Sequence, residues 1–159
     1  MEAKSIKRVA MIFLQLGIVA LGITVLAALL WEPTLEGVNA NATTLYQIYF
    51  DDPFLAYIYL SFIAVFVGLY QAFRLLGYIG GNEAYSQQSV QALHTIKYCA
   101  FAFAGLIFAA VAFITIFNRG EDDIAGGVAV GLFLTVASLI TATAAAMLER
   151  ILKGRSQTP

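Results

Sequence analysis

The chain has 159 residues, 60% of them hydrophobic and 12% charged, with a mean hydropathy of +0.81 and a net charge of −1. An average soluble domain carries about 25% charged residues, so this composition excludes an ordinary soluble domain. A charge near zero, split between two faces, gives no reason to expect direct nucleic-acid contact, and the single Cys99 excludes an internal disulfide and a cysteine metal cage.

The charges are clustered. No Asp, Glu, Lys or Arg falls between Arg8 and Glu32, Asp52 and Arg74, Lys97 and Arg119, or Asp123 and Glu149, and those gaps hold 23, 21, 21 and 25 residues. A helix needs about 20 apolar residues to cross the hydrocarbon core. The expected fold is therefore all-α, an integral membrane four-helix bundle in one domain over 1–159. Its spans are expected at about 9–31, 53–77, 98–117 and 124–148.

Met1 to Arg8 is short and basic, and the first span follows from Val9 to Trp31. A signal peptide has an apolar region of about 7–15 residues, and this one is longer, so a retained span is expected despite the Ala40-Asn41-Ala42 triplet. Gln15 is the strongly polar side chain of this span and is expected to bond a neighbouring helix. The first connection, Trp31 to Asp52, has no Lys or Arg and holds Glu32, Glu36, Asp51 and Asp52. Its aromatics Trp31, Tyr46, Tyr49 and Phe50 suit a headgroup boundary. Asp52-Pro53 reads as an N-cap followed by proline at the first helical position.

The second span, Pro53 to about Gly77, aligns Ser61, Ala64, Gly68 and Ala72 on one face. Small residues at that spacing allow close helix approach. Tyr57, Tyr59 and Tyr70 read as interfacial or packing residues rather than a ligand set. Gly77, Gly80 and Gly81 are expected to break the helix, and Ser86 to cap the next one. From Gln87 the apolar positions are Val90, Leu93 and Ile96, and the polar ones Gln87, Gln88, Gln91, His94 and Lys97. That pattern predicts an amphipathic helix over about 78–97, either lying at the interface or running straight into the third span.

Glu121, Asp122 and Asp123 precede the fourth span, where negative charge suits a helix N-terminus. The fourth span carries small residues at Gly127, Gly131, Thr135, Ser138, Ala142 and Ala145. Gly127, Gly131, Ser138 and Ala142 are the candidate helix-packing seam, against the bundle or a second copy of the chain. The tail from Glu149 to Pro159 reads as frayed.

Basic residues mark the cytoplasmic side. Eight of the nine fall in the amino terminus, the middle connection and the tail, and only Arg119 falls in an outer connection. Both termini are expected in the cytoplasm.

Tyr70-Gln-Ala-Phe-Arg-Leu-Leu, Tyr78-Ile79, Ala84-Tyr85-Ser86, Ser89-Val90-Gln91-Ala92-Leu93 and Ile96-Lys97-Tyr98-Cys99-Ala100 together resemble the bacterial DUF2975 family. The resemblance extends from Pro53 to the tail and includes the acidic turn at Glu121-Asp122-Asp123. Where that family often has a basic residue, this chain has Gly77, Gln91 and His94. The resemblance implies a four-helix protein of the bacterial inner membrane without assigned activity. Genes of the family often sit beside small helix-turn-helix regulators, which hints at a signalling or regulatory role.

The residues offer little chemistry. His94 and Cys99 lie five apart, about 500° around a helix, and so point in different directions. The acidic residues flank helix starts, where capping explains them better than calcium coordination. No catalytic residue, cofactor or metal set is expected, and an enzyme is not expected. No ionisable side chain stands within the charge-free spans, which disfavours an ion-coupled carrier. The expected function is non-enzymatic and acts by protein contact, with the lipid bilayer, a cytoplasmic regulatory protein and a second copy as partners. Gln87, Gln88, Gln91 and His94 are the candidate partner contact. A small transporter or permeation unit is the alternative, which a continuous polar path between the helices would favour over a closed, dry bundle.

Overall fold

A computed structural model describes residues 2–36, 41–117 and 124–156. Five helices follow in order: α1 Glu2–Glu36, the short α2 Leu45–Tyr49, α3 Pro53–Gly80, α4 Gln87–Phe117 and α5 Ile124–Ser156. Four of them, α1, α3, α4 and α5, are long and apolar enough to cross a membrane. The acidic turn Glu121-Asp122-Asp123 and the extreme tail lie outside the described residues.

Local chemistry sets the helix boundaries. Asp52 caps α3: its Oδ1 accepts from the backbone N–H of Phe54 at 2.7 Å and of Leu55 at 3.2 Å, with Pro53 at the first position. Thr44 and Gln47 form a reciprocal capping box that starts α2. Helix α2 lies beyond the elements expected from the sequence, although its Thr-x-x-Gln spacing signals it. Helix α3 runs through Gly77 and Gly80. What ends it is Asn82, at φ 64°, with Glu83 N–H reaching back to Tyr78 O at 2.8 Å. That is the left-handed helix stop usually made by glycine.

Packing follows chain order, α1 on α3, α3 on α4 and α4 on α5. Helix α4 is the spine. Its Phe103, Ile107 and Val111 form the buried core, covered by Ile58, Phe62, Ala64 and Val65 of α3 and by Val128 and Leu134 of α5. Phe62 and Phe103 meet edge to face at 5.0 Å. On the α3 side, Ser61 is fully buried and Gly68 brings its backbone up to Cys99, where an added Cβ would lie 3.7 Å from that side chain. Tyr57 donates its hydroxyl to Leu106 O of α4 at 2.8 Å, and Tyr59 donates to Leu29 O of α1 at 2.7 Å. In a medium without water such bonds satisfy polar groups that lipid cannot.

Helix α1 is the peripheral member. It meets α3 through Gln15, whose Nε2 donates to Phe73 O at 3.1 Å, and at Gly77 and Gly80, where added Cβ atoms would press on Gln15 and on Met11 at 3.4 Å. Of the three glycines expected to break the helix, Gly81 does cap its end, while Gly77 lies within it and, with Gly80, lets two helices approach. Apolar side chains such as Phe13, Phe133 and Ile140 are exposed over most of their surface, as lipid-facing positions require.

The bundle is not closed. Two clefts of about 450 and 410 Å³ are each lined by all four long helices. Their walls are apolar, apart from Glu32 and Asp52 in one and Ser138 and Thr141 in the other.

Candidate functional site

The polar chemistry collects at the end of the bundle where both chain ends meet the α3–α4 connection. Lys7 of α1 donates to Asn82 Oδ1 at 3.2 Å, and Arg155 of α5 donates to the Tyr85 hydroxyl at 2.8 Å and lies over its ring. Ser86 starts α4, its Oγ accepting from Ser89 N–H at 3.2 Å. Ser89, fully buried, donates its hydroxyl to Glu83 O at 2.9 Å and ties the connection to the helix.

The amphipathic segment does not lie flat as a separate interfacial element. It forms the first turns of α4, continuous with the third span. Ser89, Ala92 and Leu93 are buried and Val90 only partly so. The buried stripe is thus rotated one residue from the expected Val90, because Ser89 is drawn inward by its bonds to the connection. Gln87, Gln88 and Gln91 are exposed.

His94 departs from that glutamine face. Its Nδ1 lies 2.9 Å from Glu149 Oε1 of α5, a contact that places the proton on Nδ1, and half of the ring stays exposed. Glu149 is the residue that sequence reasoning missed. Its side chain is only 4% exposed, and it accepts from Lys97 Nζ at 2.8 Å and from Lys153 Nζ at 2.6 Å as well. The tail is not frayed at this point: α5 continues to Ser156, and Glu149 sits among its buried positions. The sequence signal was there in part. Glu149 and Lys153 have the i, i+4 spacing of a helical ion pair, and His94 and Lys97 share a face one turn apart. Joining the two pairs required the antiparallel docking of α4 on α5.

Beside this cluster is a cleft of about 450 Å³ lined by Lys97, Tyr98, Phe101, Ala146, Glu149, Arg150 and Lys153. A second basic cleft of about 680 Å³ lies between α1 and α3, with Lys4, Arg8 and Gln15 on one wall and Gly77 and Gly80 on the other.

The small-residue seam of α5 is spent on α4 within one chain. Gly131 is buried, and a Cβ built on it would overlap Val111 Cγ2. Ala142 is fully buried, Thr135 and Ala145 nearly so, and Ser138 is half-buried in the apolar cleft. Gly127 does not join the seam. It is exposed over the other cleft, and an added Cβ would have nothing within 4 Å.

The DUF2975 family, proteins of unknown function, matches residues 37–154. The chain belongs to this family. It is also 36% identical over 148 residues to the uncharacterized membrane protein YoaS of Bacillus subtilis strain 168, covering 92% of this chain and 91% of YoaS. No solved structure gives a significant match. With four candidate spans, this DUF2975 member is a membrane protein.

Proposed function

We propose that this DUF2975 member is a non-enzymatic protein of the bacterial inner membrane, with both termini in the cytoplasm. It acts by holding a soluble regulatory protein against the first turns of α4. The observation that carries this reading is the glutamine face. Gln87, Gln88 and Gln91 are exposed and uncharged, while Ser89, Ala92 and Leu93 fix the opposite side of the same turns in the bundle. A helical face rich in hydrogen-bonding groups suits specific protein contact, because the backbone is already ordered and only the side chains have to be fixed on binding. A helix of 31 residues is about 46 Å long, some 15 Å more than the hydrocarbon core, so these turns project beyond it. The competing reading, a small transporter or permeation unit, needs polar groups along a path. The clefts shared by the four long helices have mostly apolar walls, which supports contact over permeation.

The test is site-specific photocrosslinking in living bacterial cells. A benzophenone side chain at Gln88 is expected to give a discrete adduct with one soluble protein. The same group at lipid-facing Phe133 is expected to give none. The adduct at Gln88 is expected to vanish when Gln87 and Gln91 are both changed to Glu. Crosslinks to lipid alone at Gln87, Gln88 and Gln91 would refute the reading.

A further inference from the structure

We propose that the cleft between the start of α4 and the end of α5 holds the headgroup of an anionic phospholipid, independently of any protein held by the glutamine face. Three cations, Lys97, Arg150 and Lys153, line it together with one carboxylate, Glu149. The carboxylate is engaged at both oxygens: Oε1 accepts from Lys153 and meets His94 Nδ1, and Oε2 accepts from Lys97. Among the described lining residues, three positive charges thus stand against one negative charge. Being buried, Glu149 does more than neutralise. It holds the Lys97 ammonium at 2.8 Å on a side chain that is 19% exposed, and that ammonium also stands 4.9 Å from the Tyr98 ring centre. A lysine at a membrane boundary ordinarily reaches out to water. Here Lys97 is held in the wall of a cleft by its bond to Glu149.

The floor of the cleft decides between an amphiphile and a free anion. Phe101 and Ala146 line it one turn deeper than Lys97 and Glu149, within the apolar stretches of α4 and α5. A phosphodiester beside Arg150 and Lys97 would thus have its glycerol and first acyl carbons against apolar side chains. Arginine suits the phosphate oxygens because its fork of N–H groups can engage two of them. A zwitterionic choline headgroup would bring a quaternary ammonium into a site with excess positive charge. The ligand class is therefore a phospholipid whose headgroup keeps a net negative charge.

The experiment uses the full chain purified in a mild non-ionic detergent, with native mass spectrometry to count bound lipid. The probes are dioctanoyl phosphatidylglycerol, dioctanoyl phosphatidylcholine and inorganic phosphate. One saturable phosphatidylglycerol is expected, bound about tenfold more tightly than phosphatidylcholine and not displaced by inorganic phosphate at the same concentration. Arg150→Gln, which leaves every partner of Glu149 in place, is expected to weaken it about tenfold, the loss of one charge-assisted bond. Lys97→Gln is expected to weaken it as much; should that variant fail to fold, Arg150→Gln carries the test. Arg8→Gln, in the other basic cleft, is expected to leave the affinity unchanged. Equal binding of the two lipids would overturn the proposal. So would an equal loss in Arg8→Gln, which would mean diffuse attraction to basic surface, and so would ready displacement by inorganic phosphate.

Discussion

Glu149 and Asp52 are both carboxylates near the end of a long helix, yet their surroundings give them different weights. Asp52 is partly open and accepts two backbone N–H groups that would otherwise have no partner. Asn caps as well as Asp, so Asp52→Asn is expected to be nearly silent in detergent thermal unfolding. Asp52→Ala is expected to cost about 1 kcal/mol. Equal damage from both changes would point to a role for the charge itself. Glu149 is nine-tenths buried and joins α4 to α5 through His94 and Lys97. Removing Glu149 leaves the mostly covered Lys97 without its carboxylate, whereas His94 and Lys153 are half-exposed and can turn to water, so the cost is about 1–3 kcal/mol. Glu149→Ala is accordingly expected to lower the unfolding temperature at least as much as Asp52→Ala. An unchanged midpoint would mean that Lys97 and His94 find water as readily without it.

At the scale of the element, only part of the small-residue stripe of α5 packs against α4. Lipid supplies no hydrophobic drive between helices, so close approach has to supply the contact. At Gly131 that approach leaves no room for a Cβ beside Val111. Gly131→Ala is expected to destabilise by about 1–3 kcal/mol, the range for overpacking, and Gly131→Leu to prevent assembly of α5 on α4. Gly127→Ala, one turn earlier and in open space, is expected to be neutral or slightly stabilising, because alanine favours the helix. Leu132→Ala, at a lipid-exposed position, is expected to be mild. Thermal unfolding of the purified variants ranks them, and equal midpoints for Gly131→Ala and Gly127→Ala would remove Gly131 from the seam. The seam was legible in the sequence as a stripe. Its extent was not, because the 3.6 periodicity that aligns Gly127 with Gly131 says nothing about where the neighbouring helix lies.

For the whole molecule the sidedness prediction rests on charge. Eight of nine basic residues belong to the end that joins both termini and the α3–α4 connection. A reporter active only in the cytoplasm is expected to work when fused after Pro159, and one active only in the periplasm when inserted between Asn39 and Thr44. The opposite pattern would invert the protein in its membrane. Bonds from Lys7 to Asn82 and from Arg155 to Tyr85 draw both helix ends to one connection, the end that the reporter after Pro159 tests.

Four helices long and apolar enough to span a membrane, and the Asp52 and Ser86 helix starts, follow from the sequence alone. Charge-free runs longer than 20 residues and cap residues act locally, and lipid leaves a spanning backbone few alternatives to helix. The continuity of α4 with its amphipathic start, the left-handed Asn82, the α1–α3 approach at Gly77 and Gly80, and the Glu149 cluster needed tertiary structure. Each depends on which helix lies against which, and at what height. A lone glutamate at the edge of a tail reads as solvated until the antiparallel docking of α4 and α5 brings His94 and Lys97, more than 50 residues away in the chain, against its carboxylate. Burial is a property of neighbours, and in this protein the neighbours of Glu149 come from another helix.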